Sequence, residues 1–291
     1  MNQGSAPDIA LREVRCLVAI VDTGTLTDAA IELGISQAAV SRNLASLEAK
    51  LGAHLVRRTT RRLEITAAGE RVLRQARRVL AGVDEMARVA PGDSQTLRLG
   101  YAWSALGRHT VEFQRRWAAS HLATQLELVQ ANTPTAGLAE GTSDLAILRR
   151  SPDPAQSESV LIGVERRVCA MAADDAWAPR RSVLLSDIGS RSLAIDARTG
   201  STVLELWPEA QRPTTVIPTA SVDDWLTLIA SGRAVGMTSE ATMHQYRRPG
   251  IAYRPVRDAS PIPVYVAWMR GDPHPERAAV VELLVDLYRA V

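Results

Sequence analysis

LTDAAIELGISQAAVSRNLASLEAKLGAHLVRRTTRRLEITAAGERVL, residues 26–73, is the stretch on which the fold is decided. Thr25, immediately before it, offers an N-cap oxygen, and Asp28 three residues on completes a capping-box pattern, so a helix is expected to start there and run to Leu33. Gly34-Ile35-Ser36 reads as a tight turn. Ser36 then caps a further helix whose apolar residues Val40, Leu44, Leu47 and Leu51 share a face, and Gly52 stops it. Two short helices joined by a three-residue turn have helix-turn-helix geometry. The internal spacing sharpens the reading: Ala30 is small where the helices approach, Gly34 supplies an unusual backbone angle, and Val40 returns to the shared core. Upstream, Ile9 to Val21 reads as a preceding helix with Ile9, Val14, Leu17, Val18 and Val21 on one stripe, ended by Thr23-Gly24.

Downstream, His54 to Arg58 and Arg62 to Thr66 are short β-type runs separated by Thr59-Thr60-Arg61, a hairpin with an arginine tip. A basic hairpin after such a helix is a wing. Thr66 caps a long helix whose apolar residues recur seven apart in three registers, Val72/Val79/Met86, Leu73/Leu80/Ala87 and Ala76/Val83/Val90. That pattern predicts a dimer-forming coiled coil, with Val72, Leu73, Ala76, Val79, Leu80 and Val83 at its seam. Pro91-Gly92-Asp93-Ser94 breaks the helix and forms the expected hinge.

The chain has 291 residues and a formal charge of +2 that conceals an asymmetry. Residues 1–92 hold 13 basic and 10 acidic side chains, and within them Arg42 to Arg78 holds 10 basic against 3 acidic. A local excess of this kind is the electrostatic footprint expected for a phosphate backbone. No apolar run approaches the ~18 residues of a membrane span, and Met1 to Ala10 has no signal-peptide pattern, so a cytoplasmic protein with no membrane partner is expected. Two widely separated cysteines, Cys16 and Cys169, each inside an apolar run, argue against a disulfide framework. The histidines (His54, His109, His121, His244, His274) lack metal spacing, and neither a phosphate-binding glycine loop nor a nucleophile elbow is found, so no enzyme, cofactor or metal is expected.

From Thr96 onward, strands and helices alternate. Strands are expected at Leu97–Tyr101, Gln125–Gln130, Asp144–Leu148, Val160–Ala172, Ser192–Asp196, Thr214–Pro218, Ala234–Thr238, Ile251–Val256 and Pro263–Trp268. Helices are expected at Gly107–Ala119, Pro134–Ala139, Val222–Ile229 and Glu276–Tyr288. This alternation is the mark of parallel α/β sheets, which bind ligands at the carboxyl ends of their strands.

The first ninety residues closely resemble LysR-type transcriptional regulators. The quoted stretch follows that family's pattern without insertion or deletion, combining the SQ-x-A-V-S-R segment, the L-E-x-x-L-G helix end, the L-x-x-R-T wing and the T-x-A-G-E start of the linker helix. It departs at Ala38 and Ala67, where the family usually has prolines, and at Val56, where it has phenylalanine. Further on, Gly141-Thr142-Ser143-Asp144-Leu145-Ala146-Ile147 and Ser231-Gly232-Arg233-Ala234-Val235-Gly236 are similar to segments of the family's effector domain. The resemblance implies a winged helix-turn-helix (1–66), a linker helix (67–90), a hinge (91–95) and an α/β domain (96–291) of periplasmic-binding-protein type. Its two subdomains would comprise about 96–161 with 257–291 and about 162–256, the chain crossing near Leu161 and Val256. It further implies a regulator acting with RNA polymerase on a pseudo-palindromic double-stranded DNA site, as a homodimer or homotetramer, with a small-molecule effector that alters promoter bending.

On the helix from Gln37, the polar residues Gln37, Ser41, Arg42 and Ser46 lie opposite Val40, Leu44 and Leu47, where Arg reads guanine and Gln reads adenine. Ser36, as a helix cap, and Arg58, Arg61 and Arg62 in the wing are expected at phosphates. In the α/β part, strand ends bring forward Trp103, Ser104, Thr133, Arg149, Thr199, Gly200, Ser221 and Thr238, polar positions suited to a small carboxylate. The competing reading is a DNA-architectural protein that needs no small ligand.

Overall fold

The computed structural model describes residues 7–58, 63–89, 95–271 and 274–289. Near Asp93 the chain divides into two compact units.

In the first unit, α1 (Leu11–Thr23), α2 (Leu26–Leu33) and α3 (Gln37–Leu51) are followed by β1 (Val56–Arg58), β2 (Leu63–Ile65) and the long helix α4 (Ala67–Val89). Their boundaries follow from local chemistry. Thr25 accepts the amide of Asp28 at 3.0 Å, Ser36 that of Ala39 at 3.2 Å, and Thr66 that of Gly69 at 2.9 Å. Gly24, Gly34 and Gly52 end the first three helices in the left-handed conformation, at φ of 78°, 64° and 64°. Ile9 lies outside α1 on the surface, because the helix begins where the Glu13 carboxylate reaches back to the amide of Ala10. The three helices close over Cys16, Ala19, Ile20, Leu26, Ala29, Ala30 and Val40. β1 and β2 form an antiparallel hairpin with Arg57 opposite Glu64.

The linker helix departs from its expected role over its first half. Leu73 and Ala76 are buried against Val14, Leu17, Leu47 and Leu55 of the same chain, with Val72 and Leu80 packed on the edge of that cluster. The first members of all three heptad registers thus pack on the winged unit's own core. Among the described residues, Val79 and Met86, 50% and 66% exposed, are large apolar residues left on the outer face, with Val83 half-buried. The Pro91-to-Ser94 hinge lies outside the described residues, as do Arg61, Arg62 and the side chain of Arg58.

The second unit contains two mixed five-stranded sheets. Its elements run β3 (Gln95–Tyr101), α5 (Thr110–Ser120), β4 (Thr124–Gln130), β5 (Leu145–Leu148), β6 (Ser157–Glu165), β7 (Arg167–Ala172), α6 (Leu185–Gly189) and β8 (Leu193–Ile195). There follow β9 (Val216–Pro218), α7 (Val222–Ala230), β10 (Val235–Ser239), α8 (Glu240–Gln245), β11 (Ile251–Pro255), β12 (Ile262–Met269) and α9 (Arg277–Arg289). One sheet has the order β4-β3-β5-β12-β6 and the other β11-β7-β10-β8-β9. β3 pairs in parallel with β4 and β5, and β8 in parallel with β9 and β10, while β12, β7 and β11 pair antiparallel. Phe113, Trp117 and Leu284 cover the first sheet, and Trp225, Leu226 and Ile229 pack against Ala170 and Ala194 of the second.

Three expectations are corrected here. Val160–Ala172 is two strands in different sheets, because the chain crosses between subdomains at Arg166 and not near Leu161, which lies within β6. The apolar pattern on both sides is continuous, so periodicity conceals the break. Pro134–Ala139 is a run of turns, with Ala136 and Gly137 at φ of 48° and 92°. The Ala136 carbonyl lies against Gly100 so closely that a Cβ there would meet it at 2.0 Å. Short helices α6 and α8 form where no helical period was legible.

Candidate functional sites

In the first unit, α3 presents Gln37 and Arg42 exposed and Ser41 half-exposed, and among the described residues no hydrogen bond or ion pair engages the side chains of Gln37 or Arg42. The capped N-terminus of this helix adds a partial positive charge suited to a phosphate. Ser46 is a correction: its hydroxyl donates to Glu13 at 2.6 Å, and it faces α1 instead of solvent. The Lys50 ammonium reaches both oxygens of the same carboxylate, at 2.7 and 2.9 Å. Lys50 and Ser46 hold Glu13 at a pKa of about 2, against the opposing effect of burial. This contact locks α3 onto α1 and leaves the opposite face of α3 available.

In the second unit a cleft of about 60 Å³ lies between the two sheets. Seven of the eight expected residues line it: Trp103, Ser104, Thr133, Arg149, Thr199, Gly200 and Thr238. Ser221 is not among its lining residues; its hydroxyl caps α7 by accepting the amide of Asp224 at 3.1 Å. Gly200 is there because its amide turns back onto the Asp196 carbonyl, and a Cβ would meet that oxygen at 2.4 Å.

Arg149 lines the cleft, yet its donors are already engaged. Its guanidinium donates to both Glu165 oxygens, at 2.7 and 2.9 Å, and to the carbonyls of Ser104 and Ala105. Burial opposes this pair, but the mutual attraction overrides it, so the Glu165 pKa lies below and that of Arg149 above the ordinary value. Tyr288 donates to the same carboxylate at 2.8 Å. The expectation that Arg149 offers a free cation to a ligand is therefore corrected: it braces the loop after β3 against the crossover at Arg166.

Sequence reasoning missed Asp196, Trp225 and Thr242, which also line the cleft. Asp196 was read only as the end of a strand, and its signal was the Asp-Ala-Arg-Thr-Gly run that it opens. Thr242 sits on α8, too short to show a period; its hydroxyl lies 2.9 Å from that of Thr238. Across the cleft, Trp103 donates to Asp196 at 2.9 Å, Asn132 to the Ala220 carbonyl at 2.7 Å, and Tyr246 to the Trp103 carbonyl at 2.8 Å. Both cysteines are free and buried, and burial pushes the Cys169 thiol up to about 12, which suits packing and not redox chemistry. Among the described residues no cluster of His, Cys, Asp and Glu gathers as a metal site, and no helix is long and apolar enough to cross a membrane.

Comparison with known proteins assigns these two parts. Residues 11–70 match the bacterial regulatory helix-turn-helix protein, lysR family, and residues 90–289 match the LysR substrate binding domain. The chain belongs to the LysR family. Among its LysR-type relatives, the uncharacterized HTH-type transcriptional regulator YnfL of Escherichia coli K12 is 32% identical over 192 residues, which cover 62% of this chain and 63% of that protein. The match therefore spans less than two thirds of that relative's length. The HTH-type transcriptional regulator BenM of Acinetobacter baylyi is 26% identical over 273 residues, 88% of this chain and 89% of BenM. The crystal structure of CbnR, a LysR family transcriptional regulator, shares the fold with a TM-score of 0.63 at 23% identity, covering 97% of this chain and 98% of CbnR.

Proposed function

We propose that this LysR-family chain is a transcriptional regulator that reads a pseudo-palindromic DNA site with α3 and senses a small molecule in the cleft between its two α/β subdomains. The observation that carries the reading is the free, exposed face of a doubly capped α3, bearing Gln37, Ser41 and Arg42, on a unit whose basic residues concentrate downstream of it. Arg42 and Gln37 supply base contacts, while Ser36, Arg58, Arg61 and Arg62 supply phosphate contacts. A pair of chains joined along the outer face of α4, through Val79 and Met86, presents two α3 helices to two half-sites, and two such pairs form a tetramer.

The cleft supports the regulatory half of the proposal. Its walls come from both subdomains and are bridged by hydrogen bonds, so a ligand seated there favours one subdomain arrangement in proportion to its differential affinity. In the assembled regulator that change alters promoter bending and so the access of RNA polymerase. Selection of randomised duplexes by the full chain tests the reading. Enrichment of a dyad-symmetric sequence is expected, and binding of all duplexes alike would favour a DNA-architectural role.

A further inference from the structure

Among the described residues, Asp196 is a buried carboxylate of the cleft lining that makes no ion pair. Asp196, 3% exposed at the end of β8, accepts the amides of Arg198 and Thr199 at 2.8 and 3.4 Å, the Trp103 indole at 2.9 Å and the Thr199 hydroxyl at 2.6 Å. All these donors are neutral. Elsewhere in this unit the buried carboxylates of Glu165, Glu240 and Asp175 each meet a guanidinium, from Arg149, Arg166 and Arg191. Burying a carboxylate without a countercharge is costly, and the difference sets Asp196 apart.

One of these donors is contested. The Thr199 oxygen lies 2.6 Å from both Asp196 Oδ2 and Asn132 Oδ1. The amide group of Asn132 is oriented by its donation to the Ala220 carbonyl at 2.7 Å, so its oxygen faces Thr199. One hydroxyl proton therefore serves two acceptors, and an incoming group with several N–H donors completes the set. Beside this acceptor cluster the cleft is lined by two indoles, Trp103 and Trp225, with centroids 5.4 Å apart at 66°. A carboxylate beside aromatic rings is the residue combination that recognises organic cations. The other charged residues in the lining do not offset it: Arg149 is neutralised by Glu165, and Arg150 is exposed and donates to the Arg198 carbonyl at 3.3 Å.

We propose that the cleft takes its effector through a protonated amine seated against Asp196 and the indoles of Trp103 and Trp225. This rests on the reading of the cleft as the effector site, and it reverses the charge expected from the sequence, where hydroxyls at strand ends suggested a carboxylate. The space of about 60 Å³ suits a small ammonium group.

The test uses the full chain with ethylammonium, acetate and ethanol as probes, at constant ionic strength. The Trp103 indole N–H resonance, assigned by its loss in Trp103→Phe, reports on the hydrogen bond to Asp196, and the melting temperature reports binding. Ethylammonium is expected to shift the resonance saturably and raise the melting temperature while acetate and ethanol do neither, and Asp196→Asn is expected to weaken ethylammonium by about tenfold or more. Undiminished affinity in a folded Asp196→Asn overturns the assignment; should that variant not fold, the selectivity of the wild-type chain decides. A response to acetate and not to ethylammonium overturns the charge while leaving the cleft as the effector site. Silence toward all three probes overturns both.

Discussion

Glu13 shows how one residue sets the geometry of the recognition surface. It lies in the first turn of α1, yet it ties Lys50, Ser46 and the Ala10 amide into one contact that orients α3. Because its pKa falls from 4.5 to about 2, its contribution is present above the higher value and is lost as pH drops through the lower one. Glu13→Gln should therefore cost about 1–2 kcal/mol near neutral pH, discounted for the 33% exposure of Lys50, and the deficit should vanish in acid denaturation between those limits. A wild-type minus variant difference that persists unchanged down to pH 2 would show that the carboxylate acts through packing alone.

At the scale of elements, α4 has two jobs divided along its length. Its first turns bury Leu73 and Ala76 in the winged unit, and its outer face leaves Val79 and Met86 exposed seven residues apart. Val79→Asp, at a half-exposed position, should leave the unit folded and yield monomers in sedimentation equilibrium; a variant that stays dimeric places the association surface elsewhere. The same helix shows why some of the fold was legible in the sequence and some was not. Helix ends in the first unit are decided within four residues by Thr25, Ser36, Gly34 and Gly52, so they could be read directly. Which heptad faces its own core depends on Val14, Leu17 and Leu55, far away in sequence, and no periodicity reveals that. Ser46 was misassigned for the same reason, since its partner Glu13 lies on another helix. The cleft followed a middle course: strand ends pointed to seven of its lining residues, whereas Asp196 and Trp225 acquire their role only when β8, α7 and the loop after β3 converge.

On the scale of the whole molecule, the effector unit depends on the Arg149–Glu165 pair, which joins the cleft floor to the crossover between subdomains. Glu165→Gln leaves a buried guanidinium half-satisfied and should cost about 3–5 kcal/mol in thermal or denaturant unfolding, against little for a surface glutamate such as Glu112. The cleft and α3 serve the chain only if α3 discriminates among DNA sequences, so the account rests first on that property. Its most direct test is equilibrium binding of the full chain to its selected duplex and to a scrambled one, at a single salt concentration, for wild type, Gln37→Ala and Arg42→Ala. Each variant should lose about 1–3 kcal/mol on the selected duplex and almost nothing on the scrambled one. Equal losses on both duplexes would make these residues phosphate contacts and would contradict the assignment of α3 as the reading element.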